Sequence, residues 1–234
     1  MEEEKLGVKD GLTAGIPIVI GYIPIAMAFG LLAKTMHVSL LDSFLFSAVV
    51  FAGASQFMAL NLLQAGVATA EIILATLLMN FRHFLMSAFL ATRLQEEKKT
   101  WLPWLAYGIT DESFSVAATR KEKLSVPFLL ILQGIAYLAW VGGTLLGYLI
   151  GGALPTAVQN SMGIALYAMF IALLLPEAKK STEVTVLAIT AGVTHTLLAS
   201  LKFLPSGWNL IIAIILAAGL GAVCFSEEKE EVAA

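Results

Sequence analysis

Long apolar stretches separated by short polar connections run through the whole chain. Roughly 20 helical residues cross a bilayer core, and each stretch is about that long. This pattern predicts an all-α polytopic membrane protein. The stretches lie at about 11–33, 42–65, 70–92, 101–119, 125–149, 156–176, 183–201 and 207–225.

The composition supports the same class of protein. Of the 234 residues, 59% are hydrophobic and 13% are charged, and the mean hydropathy is +0.86. A soluble domain is nearer half apolar and a quarter charged. The net charge of −3 comes largely from two acidic ends, and no basic patch points to nucleic acid. We therefore expect a lipid bilayer as the surroundings and no nucleic-acid partner.

Two of the eight stretches are weak spans. Residues 11–33 include several prolines and glycines, so helical bonding should break near Gly21 to Pro24. Residues 101–119 contain Pro103 and the polar run Thr110 to Ser113. We expect six full transmembrane helices plus two broken or re-entrant segments, although full crossing of either weak segment stays open.

The distribution of basic residues favours this arrangement. If all eight stretches crossed from an internal N-terminus, five basic residues would be external and eight internal. That is a poor fit to the positive-inside rule. If both weak segments enter and leave on the cytoplasmic side, twelve are cytoplasmic and only Lys202 is external. Both termini are then cytoplasmic; the rival arrangement has residues 11–33 crossing fully from an external N-terminus.

The order of the stretches also indicates a weak internal repeat. We expect one integral membrane domain over residues 1–234. Within it, a broken segment followed by two spans occurs over residues 11–92 and again over 101–176, with two added helices over 183–225. Repeats with discontinuous helices are a common transporter plan, and their binding sites lie at the interruptions.

The third stretch carries Asn80, Arg82 and His83 in its middle. An arginine at this depth costs from about 2.5 to more than 10 kcal/mol, so Arg82 should face a protein interior or a water-filled cavity and have a partner. A histidine has an ordinary pKa of about 6.5, which makes His83 a candidate proton relay. We favour it in this role over His37 and His195, and we expect a functional site here.

The candidate partners of this arginine are Asp111 and Glu112, an adjacent acidic pair with aromatic and apolar flanks. One carboxylate could neutralise Arg82 while the other exchanges protons, because two acidic groups near one cation need not share a pKa. The alternative is an ordinary polar loop at the membrane surface.

The second stretch contains small residues around one amide, in the run Phe51 to Phe57. One interpretation is close helix packing through Gly53 and Ser55, with Gln56 bonded to a neighbouring helix. The other is an unwound site whose backbone groups and Gln56 amide bind a polar substrate.

Other kinds of chemistry have little support. Three scattered histidines and the single cysteine, Cys224, do not form a metal-ligand set, and no phosphate-binding loop occurs. We expect no cofactor and no enzyme activity. A channel is the first rival function, and an intramembrane enzyme using His83 with Asp111 or Glu112 is the second.

Four runs in the first half of the chain resemble the AzlC family: Pro24 to Gly30, Phe51 to Phe57, Asn80 to Ser87 and Gly108 to Phe114. The resemblance implies the large subunit of a bacterial exporter in the inner membrane, working with a small AzlD-type membrane subunit. The implied substrates are valine, leucine and isoleucine, with methionine as a further candidate. A proton gradient is the expected driving force.

An amino acid needs donors for its carboxylate and acceptors for its ammonium group. Half-helix N-termini and unwound carbonyls supply both, so we expect the substrate at the broken segments. The candidate substrate-binding residues are Gly21, Pro24, Gly53, Ser55, Gln56 and Asn80. The candidates for proton coupling or ion pairing are Arg82, His83, Asp111 and Glu112.

Overall fold

The structure is a computed structural model that describes residues 6–94, 99–201 and 206–225. These residues are almost entirely helical, which confirms the predicted all-α class. Four of the basic residues in the predicted charge distribution, Lys5, Lys98, Lys202 and Lys229, lie outside the described residues. The helices are α1 (Val8–Thr35), α2 (Leu40–Leu45), α3 (Gly53–Gln64), α4 (Thr69–Arg93), α5 (Leu102–Tyr107), α6 (Asp111–Ala118), α7 (Val126–Ile150), α8 (Thr156–Lys180), α9 (Thr182–Leu201) and α10 (Ser206–Cys224).

Several of these helices are suited to a bilayer. Within the described ranges, four helical segments are long and apolar enough to cross a membrane: Val8–Thr35, Thr69–Arg93, Val126–Ala153 and Thr182–Leu201. The polytopic membrane class is therefore confirmed. The count of six full spans stays a prediction for α8 and α10.

The chain divides into two compact units. The first comprises Met1–Phe57 with Asn80–Ala165, and the second comprises Met58–Met79 with Leu166–Ala234. In the second unit, α9 and α10 pack against each other. Every candidate site residue lies in the first unit. The single domain with an internal repeat stays a prediction.

The first unit is built on α1 and α7, which run parallel in close contact. Gly11 near the start of α1 lies beside Phe128, and Gly147 near the end of α7 lies beside Met27. A Cβ on Gly147 would come within 2.0 Å of the Met27 carbonyl oxygen, so only glycine permits this approach. We call the end where both helices start the amino end of the pair, and the other the carboxyl end.

The break expected near Gly21 to Pro24 is wrong, because α1 is one continuous helix across these residues. Each proline in a helix removes one hydrogen bond, and membrane helices tolerate this when neighbours pack well. Gly21 and Pro24 lie on the exposed side of α1, while the opposite side packs on α7. The helix Val8–Thr35 is long and apolar enough to cross a membrane, which favours full crossing of residues 11–33 over re-entry.

The interruption lies instead in the second stretch, which was expected to span. Here α2 passes into a π-helical turn at Phe46–Val50, and α3 starts only at Gly53. The contacts with α7 move from the carboxyl end towards its middle and then turn back. In chain order they join Val38 to Tyr148, Ser47 to Thr144, Phe51 to Tyr137 and Gln56 to Trp140. This first hairpin therefore enters from the carboxyl end and reverses at Phe51 to Gly53.

The stretch 101–119 is broken as predicted, with Gly108 to Thr110 separating α5 from α6. Its contacts start near the amino end of the pair, reach the middle of α7 and return. In chain order they join Leu105 to Gln133, Tyr107 to Tyr137, Ala118 to Arg93 and Arg120 to Phe128. This second hairpin therefore enters from the amino end, opposite to the first.

Candidate functional site

The tips of the two opposed hairpins meet at Tyr137 in the middle of α7. The ring of Phe51 lies 5.2 Å from that of Tyr137 and 6.3 Å from that of Tyr107, measured between centroids. The hydroxyl of Tyr137 donates to the Ala48 carbonyl at 3.0 Å, and the Tyr107 hydroxyl donates to the same oxygen. One carbonyl at the break of the first hairpin thus holds the tip of the second.

The tip of the first hairpin has an unusual backbone. Phe51 adopts a left-handed conformation with φ of +36°, which costs a non-glycine residue about 1–3 kcal/mol. The next helix starts at Gly53, where a Cβ would come within 2.4 Å of the Trp140 ring. The first N–H groups of a helix have no intrahelical partner and carry partial positive charge. At α3 these belong to Gly53, Ala54 and Ser55.

The Gln56 side chain is bonded at both ends of its amide. Its amide nitrogen donates to the Phe46 carbonyl, and its amide oxygen accepts from the Trp140 indole at 2.8 Å. The side chain is fully buried. These two bonds hold the reversal of the chain, and the substrate contact expected for Gln56 stays a prediction.

Asn80 on α4 keeps a free acceptor next to this helix start. Its amide nitrogen donates to the Ser55 hydroxyl at 3.1 Å, and the Ser55 hydroxyl donates to the Ala52 carbonyl at 2.9 Å. The Asn80 amide oxygen is buried and has no hydrogen-bond partner within residues 6–94, 99–201 and 206–225. An acceptor and a set of N–H donors therefore occur together at the first tip.

At the second tip, Thr110 caps the start of α6. The Ser113 N–H donates to the Thr110 hydroxyl at 3.3 Å, and the Thr110 N–H donates to the Ser113 hydroxyl at 2.9 Å. This reciprocal cap places Asp111 and Glu112 in the first helical turn, where the helix dipole favours negative charge.

The arginine partner is Asp111. A terminal guanidinium nitrogen of Arg82 lies 2.9 Å from an Asp111 carboxylate oxygen. The two side chains are 41% and 26% exposed, so the pair lies at the edge of the packed interior. The Arg82 Nε is buried without a hydrogen-bond partner in the described part of the chain. The arginine thus keeps one unused donor beside its ion pair.

Glu112 has a different partner, which sequence reasoning missed. Its carboxylate accepts a hydrogen bond from the hydroxyl of Tyr22 on α1. The same hydroxyl lies 2.8 Å from the Thr110 hydroxyl, and the Tyr22 side chain is 5% exposed. A polar aromatic residue within the apolar α1 stretch was the available signal.

His83 follows Arg82 on α4 and is half-buried. Its backbone carbonyl accepts from the Ser87 hydroxyl at 2.7 Å, which is an ordinary contact within a helix. The proton relay assigned to its imidazole stays a prediction.

An apolar cavity of about 250 Å³ lies between α4, α5 and α7 on the amino side of the second tip. Alanine and leucine side chains dominate its walls, and Ile109 and Gln133 lie at the tip end. Its leucines are Leu90, Leu94, Leu102, Leu105 and Leu129. Apolar molecules are suited to this lining.

Several known proteins are similar to this chain. It is 38% identical to an uncharacterized membrane protein of Archaeoglobus fulgidus over 73% of this chain and 76% of that one. It is 33% identical to the inner membrane protein YgaZ of Escherichia coli over 78% of each chain. It is 25% identical to the branched-chain amino acid transport protein AzlC of Bacillus subtilis over 72% of this chain and 66% of that one.

No solved structure matches the chain. The sequence model of the AzlC protein family matches residues 17–154, which include both hairpins and the ion pair. The chain belongs to the AzlC family of membrane transport proteins.

Proposed function

We propose that this protein is a secondary exporter of branched-chain amino acids, driven by the proton gradient across a bacterial inner membrane. The observation that carries the proposal is the meeting of two opposed hairpins beside the Arg82 and Asp111 ion pair. Interrupted helices near mid-membrane bind substrates in secondary transporters. The branched-chain substrate is suggested by the name of the Bacillus subtilis relative.

The first tip provides the groups that a zwitterion needs. The N–H groups of Gly53, Ala54 and Ser55 are donors for the carboxylate, and the free Asn80 oxygen is an acceptor for the ammonium group. The aliphatic side chain would lie against Phe51. Gln56 supports this arrangement by holding the reversal of the chain.

Proton coupling is placed at the second tip. Ionisable groups at membrane depth mark proton relays in transporters. Asp111 is paired with Arg82, whereas Glu112 is bonded to an uncharged tyrosine. Glu112 is therefore our first choice for the exchanging group, with Asp111 and His83 as the other candidates.

The charges of the first unit suggest its orientation. Among its described side chains, five basic residues lie at the amino end of the helix pair and only Lys34 lies at the carboxyl end. By the positive-inside rule we infer that the amino end is cytoplasmic, which supports the proposed cytoplasmic N-terminus. The five residues are Lys9, Arg93, Arg120, Lys121 and Lys123.

Counterflow of labelled leucine into proteoliposomes tests this function. We expect saturable exchange and pH-gradient-driven accumulation in liposomes containing the purified protein, alone or with the proposed small AzlD-type subunit. Asn80→Ala should raise the leucine concentration for half-maximal exchange about tenfold, because it removes the ammonium acceptor. Gln56→Ala is the matched control and should lower protein stability more than it changes this concentration. Unsaturable flux that ignores unlabelled leucine inside the liposomes would indicate a channel and refute the proposal.

A further inference from the structure

The Tyr22 side chain joins three parts of the candidate site. Its ring makes an edge contact with Trp140 at 5.2 Å and with Phe51 at 6.5 Å between centroids. Its hydroxyl bonds to Glu112 and lies 2.8 Å from the Thr110 hydroxyl. One rigid aromatic group therefore links a carboxylate of the second hairpin to the strained residue of the first.

The direction of the hydrogen bonds follows from a count of protons. A phenol has one proton to donate, and an ionised carboxylate only accepts. Tyr22 therefore donates to Glu112 and accepts from the Thr110 hydroxyl. A hydrogen bond to an ionised group is roughly twice as strong as one between neutral groups. Protonation of Glu112 therefore weakens the interaction that fixes the Tyr22 hydroxyl.

The contacts of Glu112, and not those of Asp111, connect a carboxylate of the second hairpin to the first hairpin through Tyr22. The charged and titratable groups near Glu112 are Tyr22 from α1, His83 from α4 and the adjacent Asp111. Asp111 is engaged by the Arg82 guanidinium at 2.9 Å. The partner of Glu112 is the hydroxyl of a residue that packs on the first hairpin.

We propose that Tyr22 is the positioning residue through which the charge of Glu112 sets the conformation of the first hairpin tip. The inference rests on the proposed function, in which a proton at one hairpin must alter the substrate site at the other. The ionised carboxylate holds the Tyr22 ring against Phe51, whose left-handed backbone needs support from its neighbours. Protonation releases the ring and the tip rearranges.

Thiol labelling at the tip tests this link without a substrate. The native Cys224 is exposed, so the background is Cys224→Ser, and the reporter is Ala54→Cys at the half-buried start of α3. The purified protein in detergent is labelled with a small maleimide at about pH 7, in the parent and in Glu112→Gln, whose neutral amide replaces the charged carboxylate. Each rate is divided by that of Thr35→Cys, an exposed residue at the end of α1, to remove differences in thiol reactivity between preparations.

We expect the normalised rate to differ at least about threefold between the parent and Glu112→Gln. In a Tyr22→Phe background, Glu112→Gln should no longer change the rate. Tyr148→Phe is the matched control background, because its hydroxyl bonds to the Val38 carbonyl far from the tip, and it should keep the effect of Glu112→Gln. Phe51→Leu cuts the link at its other end and should also abolish this effect, which keeps the test decisive if Tyr22→Phe does not fold.

Equal labelling rates in the parent and in folded Glu112→Gln would overturn the inference. So would retention of the full Glu112→Gln effect in a folded Tyr22→Phe or folded Phe51→Leu background. Leucine counterflow by the same proteins separates the two proposals. The expected labelling pattern without leucine transport would refute the proposed substrate and leave the Tyr22 link standing. Transport together with an unchanged Glu112→Gln effect in Tyr22→Phe would refute the link alone.

Discussion

Breaking the ion pair of Arg82 should destabilise the protein, and removing both charges should restore part of the loss. Separating a fully buried pair costs about 3–5 kcal/mol, and a surface pair contributes about 0–1 kcal/mol. With side chains 41% and 26% exposed, Arg82 and Asp111 lie between these limits. We expect Arg82→Gln or Asp111→Asn alone to lower the free energy of unfolding by about 2 kcal/mol, which is about 30-fold in the folding equilibrium constant.

The assay is a double-mutant cycle on unfolding in mixed detergent micelles, followed by the fluorescence of the four tryptophans. The double variant should be at least about 1 kcal/mol more stable than the sum of the single effects predicts. Arg82→Gln combined with Glu112→Gln is the matched control, because Glu112 is bonded to Tyr22, and its effects should be close to additive. The reasoning would be refuted if the single changes at Arg82 and Asp111 left the free energy of unfolding unchanged and their effects were additive in the double variant.

Three further predictions concern the packing of α1 on α7, the first tip and the orientation. Gly147→Ala should lower the unfolding temperature, because its Cβ would lie 2.0 Å from the Met27 carbonyl oxygen. Gly142→Ala has open space around it and should not lower the temperature, and equal unfolding temperatures of the two variants would contradict the packing argument. Trp140→Phe should lower the free energy of unfolding by about 1–3 kcal/mol in the same micelle assay, because it leaves the buried Gln56 oxygen unbonded. An unchanged stability would show that this bond does not hold the reversal of the first hairpin. In a Cys224→Ser background, an impermeant maleimide applied to whole cells should label Thr35→Cys and spare Lys121→Cys, and the reverse pattern would invert the proposed orientation.

The second hairpin and its ion pair could be predicted from sequence, because charged side chains at membrane depth cost free energy unless they have partners. A carboxylate or guanidinium at membrane depth needs a partner, which limited the candidates for Arg82 to Asp111 and Glu112. Proline and a polar run within the stretch 101–119 indicated the break. The sequence left open which carboxylate pairs, because adjacent residues differ only in the direction of their side chains, and the structure assigns Asp111.

The reversal of the first hairpin was not predicted, although an unwound site within Phe51 to Phe57 was one of the two interpretations of that run. Its break has no strong sequence signal. Phe51 takes a left-handed backbone that usually requires glycine or asparagine, and tertiary contacts with Tyr137 and Tyr22 stabilise it there. Pro24, by contrast, is a strong local signal for a break, yet α1 continues through it because α7 packs along the helix. Long-range packing decided both cases, and no local pattern reports it.

The position of α7 between the hairpins has a consequence for leakage. Its middle residue Tyr137 touches both tips, Trp140 binds the first, and Gln133 donates to the Leu105 carbonyl of the second at 3.1 Å. The two hairpin tips therefore rest on the same helix. A shift of α7 that loosens one tip also acts on the other. We expect α7 to keep the two sides of the protein from opening together and so to prevent an open water path.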